Sequence, residues 1–507
     1  MKIERTKNAT NNIIFGTILK LYQIVIPFLI RTVMIYFLSV EYVGLNSLFT
    51  SILQVLNLAE LGVGNAMVFS MYKPIAEDDK NKICALMNLY KLYYRIIGGV
   101  VLVFGIIVCP FIPYLIKSDI PNNINIYIVY LLNLGATVLS YWLFAYKNSV
   151  LQAHQRQDVI SKITLGVNTV QYILQIIAIC IFRNYYIYLI LLLLSQIIIN
   201  IITAYESNRI YPHYNASGSL IKSEIKEING RVRDLFTSKL GAIIVNSADS
   251  IVISAFLGLT VLAVYQNYYY IITAIINFVA VIFYACTAGI GNSLIVETRE
   301  KNLNDLKKFT FIIIWIAGFC SCALLCLYQN FMELWVGKEL LLDMPCVICL
   351  VVYYFIYEVN ALLNLYKDAG GIWHKDRFRP LITAVVNVIL NLILVNYIGL
   401  YGVLLSTFLS MLFVGMPWII HNLFTEVFKC SCKNYVKQLI KYVISIFIMV
   451  IVIYFLTTLI RGASVKSLVL KAGICLIGFN LMFLLTYYKK DEFCETKKIV
   501  FKILKRK

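Results

Sequence analysis

Long apolar runs separated by short polar connections dominate this chain. They divide it into about fourteen expected membrane-crossing helices: 13–38, 42–69, 92–116, 126–146, 159–182, 187–205, 235–256, 261–295, 309–328, 345–364, 381–397, 402–423, 442–459 and 468–488. At about 1.5 Å per residue, about 20 helical residues cross a hydrocarbon core of about 30 Å. The first run, IIFGTILKLYQIVIPFLIRTVMIYFL, is long enough, yet it carries two cations and a proline. Lys20, Gln23, Pro27 and Arg31 are spaced 3, 4 and 4, which stacks them on one helical face. Lys20 is shallow enough for its stem to snorkel to the headgroups. Arg31 sits near the outer third, where its cost depends on water, partners or bilayer thinning. Pro27 removes the hydrogen bond that the Gln23 carbonyl would receive and so predicts a kink. A cationic stripe on a bent helix predicts a wet cavity that receives an anion; the bland alternative is snorkelling.

In the second run Ser47, Thr50, Ser51 and Gln54 share a face, with Asn57 at its edge, and this face is expected to meet the polar stripe of the first helix. Glu60 lies about 120° round from Gln54. Two readings of it stand equal: a functional buried acid, or a structural pair with Lys20. Gly62 and Gly64 permit a close helix approach or a break. Farther on, the amides Asn168, Gln171 and Gln175, and then Gln196 and Asn200, are spaced to bridge helices. The mixed stretch 206–236 reads as a cytoplasmic linker with a short amphipathic helix on the membrane surface.

That linker divides two groups of six helices, and the groups share a weak repeat. A shift of 219 residues carries Lys20 onto Lys239, and Pro27 and Arg31 onto Asn246 and Ser250. The expected organisation is therefore a six-helix lobe at 1–205, a linker at 206–236, a second six-helix lobe at 237–424, and two further helices with a basic tail at 425–507. Both lobes start on the same side, so the repeats are parallel, with the binding site between them. Asp249 is nearly the counterpart of Ile30, which raises a charge pair with Arg31. Glu358 is open between a proton or cation site and neutralisation of a loop cation.

Composition agrees with the pattern: 60% of the 507 residues are hydrophobic and 14% charged, against about 25% charged in a soluble domain. This is an all-α polytopic membrane chain. The net charge of +19 could suggest nucleic acid, but 36 of the 45 Lys and Arg fall at one set of helix ends and only five at the other. That asymmetry makes the charge a topology signal, places both termini in the cytoplasm, and leaves no role for nucleic acid. The basic tail is also suited to an anionic lipid surface. The first span exceeds a signal-peptide core and has no cleavage site, so it is expected to be retained. Thirteen cysteines form no disulfide framework. Cys346-x-x-Cys349 lacks a second pair, Cys430-Ser-Cys432 has no fuller ligand set, and each is expected as small apolar filler, with no metal. No phosphate-cradling motif, cofactor fingerprint or long outer loop with catalytic residues is present, so neither an enzyme nor an ATP motor is expected.

The run PFLIRTVMIYFLSVEYVGLNSLFTSILQVLNLAELGVGNAMVFSMYKPIAEDD (27–79) resembles the polysaccharide-transport family, the Wzx-type flippases of lipid-linked oligosaccharides. The segments DSIVISAFLG (249–258), VYQNY (264–268) and LNLILVNYIGLYGVLLST (390–407) are similar to it as well. The likeness covers about 11–424. The family belongs to the superfamily that also holds MATE exporters and the lipid II flippase. The resemblance implies two MATE-like lobes and alternating access for an undecaprenyl-diphosphate-linked sugar unit. It also implies a bacterial cytoplasmic membrane setting, in O-antigen, capsule or exopolysaccharide assembly, with a polymerase and assembly proteins as partners. Cavity cations in that family face the diphosphate, which points to Arg31, Lys20 and Lys239. The further cavity or coupling candidates are Gln23, Gln54, Asn57, Glu60, Asn246, Asp249 and Glu358, with H+, Na+ or no coupling ion left open. Two other readings are a MATE-like ion-coupled exporter of small molecules and a membrane polysaccharide polymerase. A polymerase needs a long outer loop, and a cation exporter needs acids rather than Arg31 in its cavity.

Overall fold

In hydrocarbon every backbone N–H and C=O must find its partner within the chain, and a helix satisfies this locally. The computed structural model describes residues 5–117, 120–490 and 492–495, and every regular element among them is helical. In order they are Arg5–Phe37 (α1), Val40–Leu56 (α2), Val63–Ala76 (α3), Lys80–Val108 (α4), Ile126–Trp142 (α5), Tyr146–Ala153 (α6), Gln157–Cys180 (α7), Tyr185–Ile210 (α8) and Lys222–Leu257 (α9). Then come Leu259–Val296 (α10), Arg299–Val336 (α11), Met344–Ala369 (α12), Trp373–Asp376 (α13), Arg379–Ser410 (α14), Met416–Asn422 (α15), Lys433–Thr458 (α16), Val465–Ile474 (α17) and Asn480–Tyr487 (α18).

Each of the fourteen expected segments falls on helix. By length and apolar character eleven of the described helical runs suffice to cross a membrane, or twelve if α5 and α6, bent by 55°, count as one span. Two expected segments merge in the 56-residue run Trp373–Phe428, which turns at Ile398 and Gly399, where Gly399 has φ +57°. Among the described residues of α9, Ile243–Leu257 is a shorter apolar stretch.

Two expectations change. The run 42–69 is not one helix: α2 ends at Leu56, a 3-10 turn covers Asn57–Glu60, and Gly62 caps α3 at φ +86°. A side chain at Gly62 would face that left-handed backbone and the Leu235 side chain, at 2.6 Å from its Cβ, which is why the chain breaks at a glycine. The short amphipathic helix expected inside 206–236 is instead the opening of the 36-residue α9.

The chain divides into two compact units, Met1–Ala263 and Val264–Lys507. In the first, α1 packs on α7, α7 and α5 on α8, α4 on α5, and α2 on α9. The amides Gln175 and Asn200 join these helices by donating to the Tyr188 and Ser140 carbonyls, at 3.0 and 2.9 Å. Close approach needs small residues. A Cβ on Gly44 of α2 would lie 2.2 Å from the Leu259 carbonyl oxygen, which is backbone and cannot swing aside. Gly44→Ala is therefore expected to cost about 1–3 kcal/mol, read as a lower thermal midpoint of the detergent-solubilised protein; an unchanged midpoint would show that the contact relaxes freely.

In the second unit α11 is the hub, packing on α12, α16 and α17. The Phe311 ring meets Tyr442, Phe483 and Tyr487 at centroid distances of 5.8, 5.3 and 5.4 Å. Trp315 stacks on Phe483 at 4.9 Å and donates its indole N–H to Asn480 Oδ1 at 2.9 Å. Aromatic contacts of this kind add to area burial, and they fasten the last two apolar runs to the helices before them.

Candidate functional site

On α1 the buried residues Ile30 and Met34 bracket Arg31. Arg31 is half-buried, and its guanidinium lies within electrostatic reach of the buried Tyr188 phenol of α8. Tyr188 stacks on Tyr185 at 5.5 Å, and Tyr185 meets Tyr42 edge-on at 5.0 Å, so an aromatic wall runs beside the cation. The stripe expected on α1 is unevenly covered. Pro27 is half-buried like Arg31, whereas Lys20 and Gln23 are exposed. Eleven residues of helix set Lys20 about 16 Å from Arg31 along the axis, so the two address different depths. Helix α1 runs on through Pro27. The side chain of Lys239 lies outside the described residues.

The polar face of α2 meets α9. Ser247 donates to Gln54 Oε1 at 3.3 Å, while Gln54 itself remains exposed. Farther along α9, Asn246 is exposed and Asp249 and Ser250 are buried. Asn57 opens the 3-10 turn, and its Oδ1 is buried without a hydrogen-bond partner among the described residues.

Glu60 closes that turn and accepts a hydrogen bond from Tyr94 Oη of α4 at 2.9 Å. Tyr90 in turn donates to Tyr94 at 2.8 Å, and Tyr141 of α5 stacks on Tyr94 at 5.4 Å. The carboxylate thus ends a chain of two phenols. Tyr90 and Tyr94 are not among the candidates read from the sequence, although their i, i+4 spacing puts both on the same face of α4.

In the second unit Glu358 of α12 is 1% exposed, and its Oε1 has no hydrogen-bond partner among the described residues. Tyr354, one turn earlier, and Cys320 of α11 lie beside it. Asn360 Oδ1 is likewise buried without a partner among the described residues. A carboxyl in such surroundings needs either a proton or a bound cation, because isolated charge is costly there. Asn387 and Asn391 are fully buried in a closed network: Asn387 donates to Thr407 Oγ1 at 3.1 Å, Asn391 donates to Asn387 Oδ1 at 3.4 Å, and Ser406 donates to Asn391. Their polar capacity is used in joining the two parts of α14.

One charged cluster was missed. Asp376, 2% exposed, accepts from Arg379 Nε at 2.8 and 3.0 Å and from Nη2 at 2.8 Å. Asn422 donates to Asp376 Oδ1 at 3.0 Å, and Arg379 Nη2 donates to Asn364 Oδ1 at 2.7 Å. In the sequence Arg379 is only one of the many cations at the helix ends; the signal for the cluster is Asp-x-x-Arg at helical spacing.

The profile of a family described as "Polysaccharide biosynthesis protein" matches residues 9–288. No curated protein matches the chain. Among solved structures it resembles the lipid II flippase MurJ in an inward closed conformation, with TM-score 0.66 and 15% identity over 94% of this chain and 99% of that one. An inward-facing multidrug resistance MATE family transporter of the MOP superfamily gives 0.59 and 15% over 79% and 98%. A MOP superfamily transporter from Pyrococcus furiosus gives 0.52 and 13% over 84% and 96%.

Proposed function

This chain belongs to the polysaccharide biosynthesis protein family, and from that membership we propose that it is a flippase. Its proposed substrate is an oligosaccharide repeat unit linked to undecaprenyl diphosphate, carried across the bacterial cytoplasmic membrane by alternating access for capsule, O-antigen or exopolysaccharide assembly. The observation that carries the reading is the half-buried guanidinium of Arg31 on a membrane-spanning helix, beside the aromatic wall of Tyr188. A diphosphate does not enter hydrocarbon unaided. A guanidinium offers it a fixed fork of donors, while the polyprenyl tail stays in lipid. Lys20 and Lys239 are the proposed lower cations on the path, with Gln23, Gln54, Asn57, Asn246 and Asp249 as its proposed polar lining.

The extent of the structural likeness supports a flippase over a drug exporter. Residues 425–507 are about a sixth of the chain. A likeness covering 94% of the chain reaches into them, and one covering 79% need not. The proposed organisation keeps two six-helix repeats, 1–205 and 237–424, with the linker 206–236 and two added helices.

The reading is tested by placing the purified protein in lipid vesicles with a labelled polyprenyl-diphosphate oligosaccharide. The fraction of label open to a membrane-impermeant sugar-modifying enzyme should rise from one leaflet's worth toward the total. No rise over protein-free vesicles would exclude the flippase. The proposed coupling acid is Glu358, with Glu60 tied into its phenol chain as the weaker candidate. Glu358→Gln is expected to flatten severalfold the dependence of transport on a proton or sodium gradient with folded protein unchanged. A wild-type gradient dependence in this variant would leave Glu358 a structural residue.

A further inference from the structure

Three of the thirteen cysteines meet inside the second unit. Cys322 and Cys326 stand one turn apart on α11 and so share a face. Cys475 opens the π-helical turn Cys475–Phe479 between α17 and α18. Such turns shift the register of a helix and re-aim a side chain, often at functional sites. The three Sγ atoms lie within 4.8 Å of one another, and the residues are 0, 6 and 1% exposed. None is in a disulfide. Apolar filling accounts for each thiol alone, but not for what sits beside them. Lys471, one turn before Cys475, is buried, and its side chain lies within electrostatic reach of Cys326 and Cys475. Its hydrogen bond goes to the neutral Asn330 Oδ1 at 3.3 Å, and among the described residues no carboxylate pairs with it. A buried ammonium without an acid is costly. The thiols are the groups at hand that can become its anion.

We propose that Cys322, Cys326 and Cys475 hold a thiophilic divalent cation of the zinc class, with Lys471 balancing the charge of the third thiolate. The charges close: three thiolates and a divalent ion carry −1, and the ammonium brings the group to neutrality, as a low-dielectric site requires. Sulfur ligands select such ions over hard cations. Three sulfurs each at about 2.3 Å from zinc stand about 3.8 Å apart, so modest rotamer shifts close the site. Thr457 of α16 lies beside Cys326, and its hydroxyl donates to the Tyr454 carbonyl at 2.8 Å. Binding releases the three thiol protons and involves no redox step. The bound ion would fasten the last helix to α11.

The test uses the full-length protein, purified reduced in detergent and titrated with Cd2+. The thiolate-to-cadmium absorption should saturate at one equivalent per chain, and Cys322→Ser, Cys326→Ser and Cys475→Ser should each abolish the tight equivalent. Lys471→Met, which leaves all three thiols in place, should weaken Cd2+ about tenfold or more. Wild-type protein without the absorption, or with an absorption that survives all three serine variants, overturns the proposal. So does alkylation with mass spectrometry finding Cys475 already joined to Cys322 or Cys326 in protein purified without reductant.

Discussion

Arg31→Ala is expected to abolish translocation of the proposed lipid-linked sugar substrate while the amount of membrane-inserted protein stays at the wild-type level. The loss follows from the donor geometry. A diphosphate bound by two guanidinium N–H groups makes two charge-assisted hydrogen bonds, each worth about 1.5–3 kcal/mol. Removing both lowers transport at least about a hundredfold if they hold the headgroup on its way across. Insertion should not suffer, since alanine is easier to place in a bilayer than arginine, and Ile30 and Met34 still anchor α1. Arg31→Lys keeps the charge but loses the fork, so it should fall between the two. Vesicle transport beside quantitative immunoblotting checks all three forms. Wild-type transport by Arg31→Ala would remove this residue from the substrate path.

Asp376→Ala is expected to destabilise the protein by about 3–5 kcal/mol, the cost of leaving a buried charge without its counter-ion. Arg379 is 5% exposed and directs Nε and Nη2 at this one carboxylate, so it has nowhere wet to turn. Asn422 would lose its acceptor as well. Lys367, whose Nζ lies 4.0 Å from Asp376 Oδ2, suffers less, because it keeps Asp368 at 2.7 Å. The decisive comparison is the pair. Asp376→Leu with Arg379→Leu removes both charges together and should be milder than Asp376→Ala alone. Thermal unfolding in detergent reads wild type, Asp376→Ala and the double variant, and a double variant no milder than Asp376→Ala would show that the two charges are not coupled.

The two predictions differ in how far the sequence reached them. Arg31 was visible at once, because a cation inside an apolar run is a local anomaly against a uniform background. The Asp376 cluster was not, since its residues lie among ordinary loop charges and its partners Asn364 and Asn422 come from other helices. The amides of α14 show the same limit: Asn387 and Asn391 stand one turn apart in the sequence, but Thr407 and Ser406, which satisfy them, are 20 and 15 residues away across a turn.

By itself the sequence determined that the chain is helical, membrane-embedded and built from apolar runs of spanning length, because each of these is set within a few tens of residues by hydropathy and backbone hydrogen bonding. It also marked which polar residues interrupt those apolar runs. Only the tertiary structure decided what those residues touch. The break at Gly62, the phenols on Glu60, the packing of Gln54 on α9 and the meeting of three thiols all depend on the rotation of one helix against another. A helical period fixes which residues share a face, but the neighbour that face meets is chosen by side-chain packing between segments distant in the chain.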